Sequence, residues 1–144
     1  MQDSDEADRP QRRSALVARQ LARVDIDIAA LSEVRFAERG SLTEHEAGYT
    51  FHWSGKSKED RRLSGVGFML KNTLASKLTS LPVGHSDRLM SLRLILQCNQ
   101  FATIISVYAP TFRADPETKE AFNSDLRSLL WKVESAKAHH HGPL

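Results

Sequence analysis

The segment "RLMSLRLILQC" (Arg88–Cys98), followed by "NQ" and "FATIISVYAP" (Phe101–Pro110), constrains the fold more than any other part of the chain. In the first arm Met90, Leu92, Leu94 and Leu96 alternate with Ser91, Arg93 and Gln97. That is the period of a strand with one covered and one open face. Asn99-Gln100 separates the arms as a two-residue hairpin loop, and asparagine accepts the positive φ that such a loop demands. The second arm is apolar nearly throughout, which predicts a central strand covered on both faces. A strand of that kind needs further layers.

Those layers are visible in the pattern on either side. Val17, Leu21 and Val24 fall at helical spacing from Arg12 onward, with Ala18 and Ala22 beside them. Ile26–Leu31 reads as a short buried strand, internal to a sheet. "GYTFHWSG" (Gly48–Gly55) and "SGVGFML" (Ser64–Leu70) read as two more strands, and Gly65 and Gly67 signal close backbone approach or a bulge. "LASKLTSLPVG" (Leu74–Gly84) is a fourth strand candidate whose apolar spacing also suits a short helix. Asp115-Pro116 opens a helix, with Asp115 as N-cap and a stripe of Phe122, Leu126, Leu129, Leu130 and Val133. Helix, several strands, helix predicts an α/β or α+β class with a multi-stranded sheet.

With 144 residues the chain accommodates one domain with a real core, and a second does not fit. Residues 1–11, rich in Asp and Glu, are expected to form a disordered tail, and 135–144 an unstructured one. A formal net charge of +2 announces no overall basic field. Local clusters remain at Arg9, Arg12 and Arg13, and in the loop holding Lys56, Lys58, Arg61 and Arg62. The single Cys98 excludes an intramolecular disulfide and suits a reducing compartment. No apolar run is long enough to span a membrane, and the acidic start does not read as a secretory signal.

Glu33 stands just past the C-terminal end of the first buried strand, where α/β sheets place ligands. Its bland reading is a solvated turn residue or a partner for Arg35. Tyr108 leaves the last strand in the same manner, and its bland reading is an aromatic lid on the core. Arg88, in the turn before the alternating strand, reads by itself as half of a surface pair with Asp87. If the strands lie near each other, the three face one crevice. A single carboxylate with open water positions suits Mg²⁺, while tyrosine and arginine suit phosphate oxygens. The histidines at 139–141 are adjacent in sequence and rarely converge on one ion. His45, His52 and His85 are isolated and read as ordinary surface or hydrogen-bonded histidines.

Four segments carry a resemblance: "RRSALVARQLARVDIDIAALSEVRF", "GYTFHWSGKSKEDRRLSGVGFML", "SDRLMSLRL" and "ATIISVYAPT". In order and spacing over about residues 12–134 they resemble the endonuclease/exonuclease/phosphatase family. The nearest branch is that of LINE-type retrotransposon endonucleases, often labelled craniofacial development protein 2-like. The resemblance implies a four-layer α/β/β/α sandwich, two sheets face to face with helices outside. It implies Mg²⁺-dependent hydrolysis of DNA phosphodiester bonds by water, in a nuclear protein. Glu33 in "LSEVR" matches the family's metal-binding glutamate, and Tyr108 in "YAP" its phosphate-orienting tyrosine. Arg88, in "SDR", matches a phosphate or structural contact.

The pattern is also incomplete. The family's first strand, which ends in asparagine, has no counterpart here. Neither does the "GDFN" strand, nor the late Ser-Asp-His, and "HSD" at 85–87 has the wrong order for it. The expectation is the N-terminal part of such a domain, with little or no catalysis by this chain alone and self-association through exposed sheet edges. Two other functions stay open: a nucleic-acid-binding remnant using Arg61, Arg62 and nearby lysines, and a protein-interaction module.

Overall fold

The computed structural model describes residues 2–34, 36, 38–56 and 65–140. Arg35, Lys58, Arg61 and Arg62 lie outside them, as does the last of the three consecutive histidines. The elements are α1 (Gln2–Arg23), β1 (Ile28–Ser32), β2 (Arg39–Glu44), β3 (Tyr49–Ser54), β4 (Val66–Lys71), α2 (Asn72–Ala75), β5 (Val83–Ser86), β6 (Leu89–Ile95), β7 (Phe101–Val107) and α3 (Pro116–His140). Two antiparallel sheets form, a four-stranded one in the order β1-β4-β3-β2 and a three-stranded one in the order β5-β6-β7. The architecture is mixed α/β and agrees with a partial α/β sandwich.

The four-stranded sheet is covered on both faces, and its central strand shows why. Every residue of β4 from Val66 to Leu70 is buried. Alternation sends Met69 to one side, where it joins Ala18 of α1, Val34, Phe36, Tyr49 and Phe51. Val66, Phe68 and Leu70 go to the other side and pack on Met90 and Leu92 of the second sheet. Each such side chain, fully buried, contributes about 1.5–3 kcal/mol. Gly67 permits this density, because a Cβ there would lie 2.5 Å from the Phe51 ring and 2.8 Å from the His52 carbonyl oxygen. The close approach expected of it is therefore real. Between the sheets, the buried Ser54 hydroxyl donates to the Ser86 carbonyl oxygen at 2.7 Å.

Residues up to Tyr108 form one compact unit and those from Ala109 another. In the second, Asp115 caps α3 as expected: its Oδ1 accepts from the Thr118 N–H at 2.7 Å, which holds the carboxyl below its usual pKa. Leu129 is buried, and Phe122, Leu126 and Val133 are half-buried. Leu130, counted in the same stripe from the sequence, is 47% exposed.

Several expectations are corrected. β1 and β7, read as internal and central strands, each lie at the end of a sheet among the described residues. Both faces of β1 meet other layers, whereas β7 keeps Thr103 and Val107 exposed. The 1–11 tail is helical from Gln2, and α3 continues to His140, past the border expected at 134. The fourth strand candidate divides into the one-turn α2, a connection and the short β5. The hairpin loop is longer than two residues: Gln97–Asn99 make a 3₁₀ turn closed by Leu96 N–H to the Gln100 oxygen at 2.7 Å. Asn99 does take positive φ, at 60°.

His52 of β3, paired with Ser41 and Phe68, is half-buried, and desolvation lowers its pKa. The unfolded chain then binds the proton first, so stability declines as pH drops through about 6.5, the unfolded value. Denaturant midpoints between pH 7.5 and 5 are expected to fall in the wild type. In His52→Gln the fall is expected to be smaller.

Candidate functional site

Glu33 follows directly on β1, whose last residue Ser32 stands opposite Val66. Its backbone turns left-handed, with φ 55°. The residues after it are drawn inward: the Val34 N–H donates to the Gly65 oxygen at 3.2 Å, and Val34 and Phe36 are buried. Arg13 of α1 seals this stretch, donating from Nη1 to the Val34 oxygen at 3.2 Å and lying 5.6 Å from the Phe36 ring centre. Val34 is thus anchored inside while the preceding carboxylate stays exposed. A left-handed glutamate is disfavoured by about 1–2 kcal/mol. Glycine would occupy the turn at no such cost, so the carboxylate is present despite the backbone.

Tyr108 comes from the other sheet, immediately after β7. Its ring packs beside the cluster of Val66, Phe68, Leu70, Met90 and Leu92, so its position is set by the sheet-to-sheet core. The hydroxyl emerges at the edge of that core and donates to Glu33 Oε1 at 2.9 Å, across 75 residues of sequence. The two strand exits singled out in the sequence therefore meet.

Arg88 completes the group from the β5–β6 turn. The Tyr108 N–H donates to the Arg88 oxygen at 2.9 Å, and Arg88 Nη1 returns a bond to the Tyr108 oxygen at 3.2 Å. The guanidinium carbon lies 5.1 Å from the phenol ring centre, within cation–π range. Asp87 Oδ2 sits 4.0 Å from Arg88 Nε, and the Ser86 hydroxyl accepts from the Arg88 N–H at 3.1 Å. Arg88 is held on both its main chain and its side chain, with 20% of the latter exposed. These contacts hold the exit of β7 and set the guanidinium beside the phenol ring.

Sequence reasoning missed Ser54 and Ser86. The first ties the two sheets together beside the site, and the second shapes the turn that carries Arg88. A serine at a strand end is too common to single out, and its partner lies 32 residues away. The turn containing Glu33 also adjoins a cavity of about 120 Å³ lined by Arg13, Val17, Leu31, Phe51 and Met69. That lining is apolar apart from a few groups and belongs to the contact between α1 and the sheet.

The donor set decides what ion the site suits. Among the described residues no group of three or more His, Cys, Asp or Glu side chains converges. A closed zinc or calcium cage is therefore a poor fit. One carboxylate beside a phenol is compatible with Mg²⁺, an ion that keeps most of its water. Among the described residues, no helix is long and apolar enough to cross a membrane.

The chain is similar to craniofacial development protein 2 of Bos taurus, with 28% identity over 116 residues. The match covers 80% of this chain and 18% of that protein. No protein-family model matches, and no solved structure matches significantly. The chain is thus distantly related to a protein several times its length.

The left-handed turn yields a stability test that leaves Tyr108 out. Glu33→Ala and Glu33→Gly both remove the carboxylate, but only glycine relieves the backbone. The glycine variant is expected to be more stable than the alanine variant by about 1–2 kcal/mol in chemical denaturation.

Proposed function

We propose that the chain is an endonuclease-like domain portion of retrotransposon origin, related to Mg²⁺-dependent phosphodiesterases that act on DNA. The observation that carries this reading is the 2.9 Å hydrogen bond from Tyr108 to Glu33, which joins the two residues that the family resemblance marks for metal and phosphate. The distant likeness to craniofacial development protein 2 supports it. In this reading Glu33 holds Mg²⁺, which when bound neutralises phosphate charge and acidifies a coordinated water.

The remaining chemistry follows from the residues. Tyr108 has one hydroxyl proton, and in the structure it is given to Glu33. While that bond persists the phenol offers a phosphate oxygen only lone pairs, which repel it. Recognition of phosphate thus requires the hydroxyl to rotate away from Glu33, a movement that leaves the ring in place. Arg88 keeps the ring there, so only one torsion has to change. With Mg²⁺ bound, Glu33 would hold the metal and the freed Tyr108 hydroxyl would donate to phosphate.

Neither residue removes a proton from water. Among the 144 residues there is no "GDFN" and no Ser-Asp-His to supply a general base or an imidazole for the phosphoryl charge. Loss of one such group commonly reduces rate by about 10²–10⁴. The chain by itself binds metal and phosphate without turning over.

Two measurements test this together. Mn²⁺, an oxygen-seeking stand-in for Mg²⁺, is expected to broaden the amide resonances of Ser32, Glu33 and Tyr108 selectively, and Glu33→Gln abolishes the effect. Broadening centred on Asp25 and Asp27 instead contradicts the assignment. Supercoiled plasmid with Mg²⁺ is expected to remain intact. Nicking that disappears in Glu33→Ala would show the chain to be a complete enzyme.

A further inference from the structure

Four strands end a sheet among the described residues, and three of them are guarded. β2 begins with Arg39 and ends with Glu44. β5 is short, and its register against β6 shifts between Gly84 and Ser86. β1 is flanked directly by Asp27 and Glu33. Charge, bulges and short length are the usual means of keeping an edge from pairing. β7 has none of them. Phe101–Val107 contains no charge, proline or glycine, and it pairs with β6 without a shift. No residue between Arg93 and Arg113 is charged.

The ladder shows which backbone groups are left over. The Tyr108 N–H donates to the Arg88 oxygen, and at the other end the Leu96 N–H donates to the Gln100 oxygen. Leu92 stands opposite Ile104 between them. Antiparallel pairing alternates, so Ala102, Ile104 and Ser106 turn their backbone groups towards β6. Thr103, Ile105 and Val107 turn theirs away, and no described residue pairs with them.

The side chains select the occupant. Turned end for end about Ile104, this strand matches itself: Phe101 meets Val107, Ala102 meets Ser106, and Thr103 meets Ile105. An aromatic stands opposite a β-branched residue, small opposite small, and β-branched opposite β-branched, which are favourable cross-strand pairs. A two-fold axis also brings each position near its own counterpart, where any charge would repel itself. This segment has no charge to repel. Backbone pairing alone accepts any extended segment; the end-to-end match selects a second copy of this chain.

We infer that two copies join β7 to β7, antiparallel, about a two-fold axis at Ile104, so that two three-stranded sheets become one continuous sheet. Thr103 of each copy exchanges both backbone hydrogen bonds with Ile105 of the other. The assembly closes at two copies, because the pairing consumes the unguarded edge and leaves the irregular β5 at both ends.

Sedimentation equilibrium of the full chain across the micromolar range is the test, and a monomer–dimer equilibrium is expected. Thr103→Pro removes an outward N–H without touching the ladder to β6, and Thr103→Lys places a charge from each copy beside the axis. Both are expected to weaken dimerisation by more than about ten-fold while far-UV circular dichroism stays that of the wild type. Ile104→Cys combined with Cys98→Ser is expected to oxidise to a disulfide-linked dimer, because position 104 is the one that meets itself. Glu33→Ala is expected to dimerise like the wild type, which separates this inference from the phosphodiesterase reading. A wild-type chain that stays monomeric overturns it. So does a dimer that Thr103→Pro and Thr103→Lys leave unchanged, or a mass that grows beyond two copies.

Discussion

The packing of Val66, Phe68 and Leu70 against Met90 and Leu92 is the contact on which the candidate site depends. It sets the separation and register of two sheets that share no backbone hydrogen-bond ladder. Glu33 is fixed relative to the first sheet by the strand before it and by buried Val34 after it. Tyr108 is fixed relative to the second by its position after β7 and by Arg88. The apolar contact between the sheets, with the Ser54–Ser86 hydrogen bond beside it, makes these two frames one. A cavity in that layer, as from Phe68→Ala, would cost about 3–5 kcal/mol and would loosen the site at the same time.

The same logic explains the division of labour among the three residues. Glu33 takes a left-handed backbone conformation that a glycine would adopt freely, as do Asp25, Glu38 and Asn99. Tyr108 serves the core with its ring and the surface with its hydroxyl. Arg88 spends its interactions on Tyr108 and so stands behind the site. Ser54 and Ser86 join the sheets next to them, with Ser54 fully buried and hydrogen-bonded. The result is a carboxylate and a phenol presented on rigid strand ends.

Much of this was legible in the sequence, and the failures have definite physical sources. The continuous apolar runs of β1 and β7 predicted cover above and below each strand; both faces of β1 do meet other layers, while β7 leaves Thr103 and Val107 exposed. Lateral neighbours leave no such mark, because edge pairing uses backbone groups that every residue carries. That is why two strands read as interior lie at sheet ends. β2 went unseen for a related reason: "RGSLTE" has one large apolar residue, and its strand is defined by pairing with β3. The positions of Glu33 and Tyr108 were readable because each ends an apolar run. Their hydrogen bond was not, since it depends on how two sheets stack. The bond between Arg88 and the Tyr108 carbonyl, 20 residues away, was hidden in the same way.

The account stands or falls on whether Glu33 and Tyr108 interact in solution. A double-mutant cycle with Glu33→Ala and Tyr108→Phe, read by chemical denaturation, measures that coupling directly. A coupling of about 1 kcal/mol is predicted for a charge-assisted hydrogen bond at this exposed position. Effects that add to within about 0.3 kcal/mol would mean that the two strand exits do not meet, and would contradict the site.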